Sequence, residues 1–231
     1  MPKTDFAGFQ PELIKFLSDL GRNNNRDWFN ANKKRYEQQI VDPVLEFIAA
    51  MGPPLRKVSR HFEAIPKKTG GSLMRVYRDT RFSKDKTPYK TNVGIHFRHA
   101  LGKDVHAPGF YVHFDTKDVF LGIGLWHPEP AALAGIRERI ATRQKDWLKA
   151  RDDKDFRRQF ELGGESLKRP PKGYAADHPL IDDLKRKDFI AMNNLAAKDL
   201  YRGDFADRVG GAFVAAKPFM RFLCRAVDVP F

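Results

Sequence analysis

Residues 110–126 read FYVHFDTKDVFLGIGLW, and this stretch decides the fold. Apolar side chains occupy every second position on both sides of Thr116 and Lys117, which is the period of a β-strand with one buried face. A two-residue turn there gives the pairs Phe114–Val119, Val112–Leu121 and Phe110–Ile123. All six apolar side chains then share one face, so the sequence predicts a β-hairpin at the centre of a sheet.

Other segments show the same alternation or the helical period. Residues 73–78 and 93–98 alternate like the hairpin, and residues 189–192 suggest a further short strand. Apolar residues before and after this region recur at helical spacing, with proline or asparagine near the starts and glycine near the ends. We therefore expect an α+β fold with a largely antiparallel sheet of about 4–6 strands and helices on its apolar face.

No linker, repeat or low-complexity stretch divides the 231 residues. We expect one domain over residues 1–231, with N-terminal helices in 11–51, the central sheet in 72–126 and a C-terminal helical part in 129–228. A hydrophobic content of 42% is enough for a core and excludes a disordered chain. One cysteine, Cys224, excludes an intrachain disulfide and cysteine-rich metal sites.

The net charge of +13 is concentrated in one segment. Residues 65–103 hold ten basic and two acidic residues, so they carry eight of the thirteen excess positive charges. A cationic segment of this kind favours an anionic partner, either a small molecule or nucleic acid. No apolar leader-like segment and no run of 18 uncharged apolar residues occurs, so we expect a cytoplasmic protein without a membrane partner.

Residues 75–90 read RVYRDTRFSKDKTPYK, and this motif resembles an uncharacterised family of bacteria and fungi catalogued as domain of unknown function 2461. The resemblance extends over nearly the whole chain through NRDWF at 25–29, GFYVH at 109–113, RPPKGY at 169–174 and Pro218-Phe219. It implies a single-domain protein. It implies no activity, substrate or catalytic residue.

The alternation places polar side chains on the second face of the sheet. The residues predicted to share it are Arg75, Tyr77, His96, Arg98, Tyr111 and His113. Gly122 and Gly124 would lie on the same face and leave room for a ligand or for another backbone. The connection over residues 79–90 would overhang one end of this face. The cations expected to close over an anion there are Arg78, Arg81, Lys86 and Lys90. We therefore expect a phosphate- or carboxylate-bearing small ligand there.

Two alternatives stay open at this point. In the first, Asp79 and Asp85 form ion pairs with the neighbouring cations and, with Pro88, only shape the loop, while Gly122 and Gly124 admit a covering helix. The chain would then be a structural or interaction protein without a ligand. The second alternative is a nucleic-acid-binding module, although no helix-turn-helix, RNP or KH signature occurs.

Histidines supply the candidate chemistry. His113, oriented by a carboxylate, is the candidate general base for proton transfer or hydrolysis. His96, His99, His106 and His113 lack the HxH or HExxH spacing of metal sites, so we expect neither a metal nor another cofactor.

Overall fold

The computed structural model describes residues 6–102 and 108–231. Two residues considered above, Lys103 and His106, lie outside these ranges. The described chain forms an α+β fold in which helices cover one face of a five-stranded antiparallel sheet, and this confirms the predicted fold class.

The N-terminal part is helical, as the periodicity predicts. Its helices are α1 (Pro11–Arg22), α2 (Arg26–Ala31), α3 (Lys33–Tyr36), α4 (Asp42–Ala50) and α5 (Gly52–Val58). A π-helical turn at Glu37–Val41 leads into α4, which carries Pro43 in its first turn. Pro53 and Pro54 end α4 but also begin α5, because proline fits the first turn of a helix.

The central hairpin has the predicted register. The strands are β1 (Val93–Arg98), β2 (Gly109–Phe114), β3 (Val119–Leu125), β4 (Glu161–Gly163) and β5 (Phe189–Leu195), in the spatial order β1-β2-β3-β5-β4. The β2–β3 pairs include Phe114–Val119, Val112–Leu121 and Phe110–Ile123. The sequence pattern does not predict β4, which pairs with β5 through only three residues.

The prediction of a strand at residues 73–78 is wrong. Met74 donates its N–H to the carbonyl of Gly94 in β1, at an N–O distance of 2.9 Å. After Met74 the chain leaves the edge of the sheet. It folds back on itself, because Lys90 donates its N–H to the Val76 carbonyl at 2.7 Å and Tyr77 bridges Tyr89. The segment is therefore one arm of a loop.

Helices also follow the hairpin. They are α6 (Pro130–Thr142), α7 (Gln144–Arg151), α8 (Lys154–Gln159), α9 (Ile181–Leu184), α10 (Phe205–Ala215) and α11 (Lys217–Ala226). Asp153 caps α8 by accepting the N–H of Phe156 at 3.0 Å. Ala216 separates α10 from α11, and Pro218 lies in the first turn of α11.

Aromatic rings fill the space between the sheet and the helices. Phe114 of β2 packs against Phe9, with ring centroids 5.0 Å apart, and Phe110 packs against Phe213 of α10 at 4.6 Å. The six apolar side chains of the hairpin are all buried. Truncating one of them to alanine costs roughly 2–5 kcal/mol in such a core. Cys224 is buried in α11 and burial raises the pKa of its thiol to about 12, which fits a core residue.

No helix within the described ranges combines the length and apolar content that crossing a membrane requires.

A buried histidine joins the end of β1 to the end of the chain. His99 donates from Nε2 to the Pro230 carbonyl at 2.8 Å, and its Nδ1 accepts the N–H of Leu101 at 3.1 Å. Burial lowers the pKa of His99, and the positive charge of nearby His61 acts in the same direction. The Pro230 carbonyl and Glu63 act in the opposite direction without outweighing burial.

We expect His99 to make the fold less stable in mild acid. The unfolded chain binds a proton at this histidine below its ordinary pKa of about 6.5, whereas the folded chain resists protonation until a lower pH. Stability is therefore full above about pH 6.5 and is lost as the pH falls toward the folded pKa. Urea unfolding at several pH values should give a shallower dependence for His99→Gln than for the wild type. Equal slopes would contradict this role.

Candidate functional site

The open face of the sheet carries a pocket of about 410 Å³. Residues of β1, β2, β3 and β5 whose side chains point away from the helices surround it. Its polar side chains are His96, Tyr111 and His113, and its walls are formed by Met74, Phe120, Trp126, Ile190 and Met192. The pocket is therefore mainly apolar and aromatic, with three polar groups.

Glycines make the floor of the pocket. A Cβ at Gly122 would lie 3.6 Å from the Met192 sulfur and 3.6 Å from Tyr111 Cβ, so the missing side chain leaves open volume. Gly124 is different, because its φ of +108° and the close approach of the Phe189 carbonyl require glycine there. Of the two glycines, one leaves space for a ligand and the other admits the neighbouring backbone.

Tyr111, His113 and Asp115 form a chain of polar contacts along β2. The Tyr111 hydroxyl lies 3.3 Å from His113 Nδ1, and His113 Nε2 lies 3.5 Å from an Asp115 carboxylate oxygen. The His113 ring stacks on Phe120 with centroids 4.5 Å apart. Phe120 and Asp115 thus hold the orientation of the imidazole at the pocket wall.

The partners of His113 indicate its tautomer. Asn92 places its amide nitrogen 3.5 Å from His113 Nδ1, and an amide nitrogen can only donate. Burial raises the pKa of Tyr111 to about 12, so its hydroxyl keeps its proton and can also donate to Nδ1. Neutral His113 therefore carries its proton on Nε2, facing Asp115.

Asp115 is held as a carboxylate by the hairpin turn. One oxygen accepts the N–H of Lys117 at 2.7 Å and of Asp118 at 2.8 Å. Burial by itself raises the pKa of Asp115, but these hydrogen bonds and the one from His113 outweigh it, so the pKa lies below its usual value. The turn that sets the sheet register therefore also supplies the anion behind His113.

A buried carboxylate positions one edge of the pocket. Asp188 accepts the N–H of His127 at 2.8 Å and the N–H of Glu165 at 2.9 Å, and so joins the ends of β3 and β4 to the start of β5. His127 has a φ of +47° and its ring packs against Trp126 with centroids 4.4 Å apart. Sequence reasoning missed Asp188, because nothing in its local pattern distinguishes it from a surface acid.

Residues 75–90, here named the cationic loop, do not line the pocket. Arg78 pairs with Asp85 and Thr87, while Arg81 forms a two-point pair with Asp79 at 2.7 and 3.0 Å. The bond from Arg81 is the main reason that the pKa of Asp79 falls to about 2. These pairs agree with the alternative in which the charged residues shape the loop.

The other residues predicted for the site lie partly on the open face of the sheet and partly in the cationic loop. His96, Arg98, Tyr111 and His113 share the open face, as expected, although Arg98 reaches toward the Gly71 carbonyl at 3.4 Å and does not line the pocket. The other cations and the tyrosine of the loop lie outside the lining: Arg75, Tyr77, Arg78, Arg81, Lys86 and Lys90. Pro88 supplies a carbonyl for the Arg78 N–H at 2.9 Å within the loop stem.

The pocket walls were not predicted from the sequence. Phe120 alternates with the buried residues of β3, so its place on the open face could have been deduced from the same register that places Tyr111. Met192, Ile190 and Met74 could not, because they reach the pocket through the β3–β5 pairing and through the irregular edge beside β1.

Within residues 6–102 and 108–231, no group of three or more histidine, cysteine or acidic side chains is arranged to hold a metal ion. His96 and His113 lie on different rows of the face, since His96 pairs with Tyr111 and His113 pairs with Gly94. The side chains around the pocket suit hydrogen bonding, stacking and proton transfer.

Comparison with known protein families identifies the family of the chain. The profile of the family described as conserved hypothetical protein (DUF2461) matches residues 12–222. No curated protein and no solved structure matches the chain.

We expect neutral His113 to be the Nε2–H tautomer. Long-range ¹H–¹⁵N correlation spectra above pH 8 should show the Nδ1 shift of an unprotonated, hydrogen-bonded nitrogen. Asp115→Asn should weaken the preference, because a neutral amide stabilises the Nε2 proton less than a carboxylate does. A majority Nδ1–H form in the wild type would be inconsistent with the Tyr111 and Asn92 contacts.

Asn24 should control the order of the cationic loop. Its amide nitrogen donates to the Tyr89 carbonyl at 2.9 Å, and its oxygen accepts the Tyr89 N–H at 3.1 Å. Asn24→Ala removes both bonds and should cost roughly 1–3 kcal/mol in urea unfolding. Trypsin should then cleave the loop at Lys84 faster than in the wild type. Asn30→Ala, at an exposed helical site, is the control and should leave cleavage unchanged.

Proposed function

Because the chain belongs to the conserved hypothetical protein (DUF2461) family, which is of unknown function, we propose a function from the pocket itself: it binds a small molecule with an apolar or aromatic body and an anionic head group. The observation that carries this proposal is the pocket over Gly122, walled by aromatic side chains and reached by Tyr111 and His113.

The size and lining support a small ligand. A volume of about 410 Å³ lies within the range of pockets that hold metabolites, roughly 300–1,000 Å³. Phe120 and Trp126 offer ring surfaces, and Met192 offers an adaptable thioether. Such walls favour a flat or aliphatic body, whereas a bare phosphate would leave them uncovered.

The polar groups and the surrounding charge support an anionic head. None of the described residues that line the pocket is acidic. The imidazole of His96 can donate a hydrogen bond to a carboxylate, and so can the Tyr111 hydroxyl when it turns away from His113 Nδ1. Arg98 lies on the same face of the sheet as the pocket, and its positive charge disfavours a cationic ligand there.

We also assign His113 the role of proton acceptor if the bound acid is transformed. Asp115 would stabilise the imidazolium, and the stacking on Phe120 would fix the direction of transfer. The reaction class that this arrangement supports is removal of a proton from the ligand. The phosphate-binding variant of the proposal, centred on Arg78 and Arg81, has less support because both guanidinium groups are engaged by carboxylates.

Three probes with one ring system test the proposed ligand class: naphthoate, naphthylmethanol and naphthylmethylamine. Calorimetric titration should show the acid binding more tightly than the alcohol, and the amine most weakly. Equal affinity for all three would retain the apolar pocket but exclude the anionic preference. If none of the three probes binds, the proposal is contradicted for ligands with aromatic bodies.

Gly122→Ala tests where these probes bind. The added methyl enters the pocket at ordinary contact distances, so the sheet should fold normally while naphthoate binds about 10-fold more weakly. Gly211→Ala is the matched control, because its Cβ meets nothing within 4 Å and the site is in α10, away from the pocket. Unchanged affinity in Gly122→Ala would place the binding elsewhere.

A further inference from the structure

We propose that the tip of the cationic loop binds single-stranded nucleic acid, with Phe82 stacking on a base and the neighbouring lysines meeting phosphates. This site is separate from the pocket, and the proposal does not depend on the pocket's function. It rests on the exposure of Phe82, on the bonds that hold the loop, and on the cations that these bonds leave unneutralised.

Phe82 is almost fully outside the protein. Its relative exposure is 95%, the highest of the large apolar residues in the described chain. Its one ring contact there is with the Arg81 guanidinium, 5.8 Å from the ring centroid. An isolated exposed phenylalanine alone is unremarkable, but here the surrounding loop is built to keep it outward.

Several bonds hold the loop on both sides of Phe82. Below the tip, the stem is fixed by Asn24 and by Tyr89, whose ring stacks on Phe29 with centroids 4.0 Å apart. At the tip, the loop is held by the two guanidinium–carboxylate pairs described above. A further bond there is donated by Lys86 to the Thr80 carbonyl at 2.9 Å. Phe82 is thus presented by an ordered segment, which lowers the entropy lost on binding.

The cationic loop also carries cations that no carboxylate of the described residues neutralises. Asp79 and Asp85 are taken up by Arg81 and Arg78. Among the described residues, Arg75, Lys84, Lys86 and Lys90 form no ion pair, so the loop keeps four net positive charges. Burial lowers the pKa of Lys90, and the charge of Arg75 adds to this, which is consistent with a positive potential around the stem.

An aromatic ring beside several cations matches the chemistry of a single nucleic-acid strand. Bases stack on an exposed ring regardless of sequence, while lysines follow the phosphates. The Arg81 guanidinium lies over the ring, so a base on the opposite side would be one layer of a stack. Duplex DNA hides its base faces and offers no such partner.

A membrane surface fits less well. Phe82 is flanked by Arg81, Ser83 and Lys84, so burying the ring in a bilayer would also bring charged groups toward the hydrocarbon. One phenylalanine provides little apolar area for anchoring.

Fluorescence anisotropy with a labelled oligothymidylate of about 12 nucleotides in about 50 mM salt tests the site. The full-length wild type should bind it, and Phe82→Ala should bind about 10-fold more weakly. Phe82→Tyr keeps the ring and should restore binding. Lys84→Gln should reduce the slope of log affinity against log salt by about 0.7, the value for one phosphate contact on a single strand.

The controls separate this site from the pocket and from general charge. Tyr201→Ala removes another exposed aromatic residue and should leave affinity unchanged, as should Gly122→Ala, which affects the pocket alone. The Phe82 and Lys84 variants should show the wild-type melting temperature, since both side chains are exposed.

Three outcomes would overturn the proposal. The first is no oligonucleotide binding by the wild type at low salt. The second is binding that Phe82→Ala leaves unchanged, which would indicate charge attraction without stacking. The third is a preference for a duplex of the same length or for vesicles containing anionic lipid, since either would assign the loop to a different partner.

Discussion

The pairing of β2 with β3 is the constraint on which the rest of the structure depends. Because side chains alternate along a strand, the register that buries Val112 and Leu121 also sends Tyr111, His113 and Gly122 to the opposite face. A slip of one residue would expose the apolar side chains to water and place the histidine in the core. The free energy gained by burying the apolar side chains under the helices therefore determines which polar side chains lie on the open face.

The hairpin turn connects this constraint to the site. Asp115 directly follows β2 and accepts two backbone N–H groups of the turn, so its carboxylate is needed for the geometry of the hairpin. Its second oxygen is directed toward His113. One side chain thus contributes to the register and to the electrostatics beside the pocket, which is why a change at Asp115 should affect both stability and the tautomer of His113.

The charged residues were less predictable than the apolar ones. The apolar pattern of 110–126 identifies the hairpin and its register from local sequence, and the placement of Tyr111 and His113 on one face follows from it. The cationic residues of 75–90 were expected over the same face, but Arg78 and Arg81 pair with acids only a few residues away. Alternation in 73–78 suggested a strand, whereas bonds within the loop outcompete pairing along the rest of β1.

The sequence by itself determined the α+β class, the antiparallel hairpin and the two faces of its strands, because these follow from periodicity and short-range turns. It also showed that the positive charge is concentrated in one segment. The tertiary structure showed that Met192 and Ile190 enclose the pocket beside Phe120 and that Phe82 is exposed. The positions of Met192 and Ile190 depend on the β3–β5 pairing, and the loop that carries Phe82 is held by the bonds between Asn24 and Tyr89. Such long-range contacts leave no periodic signal in the sequence.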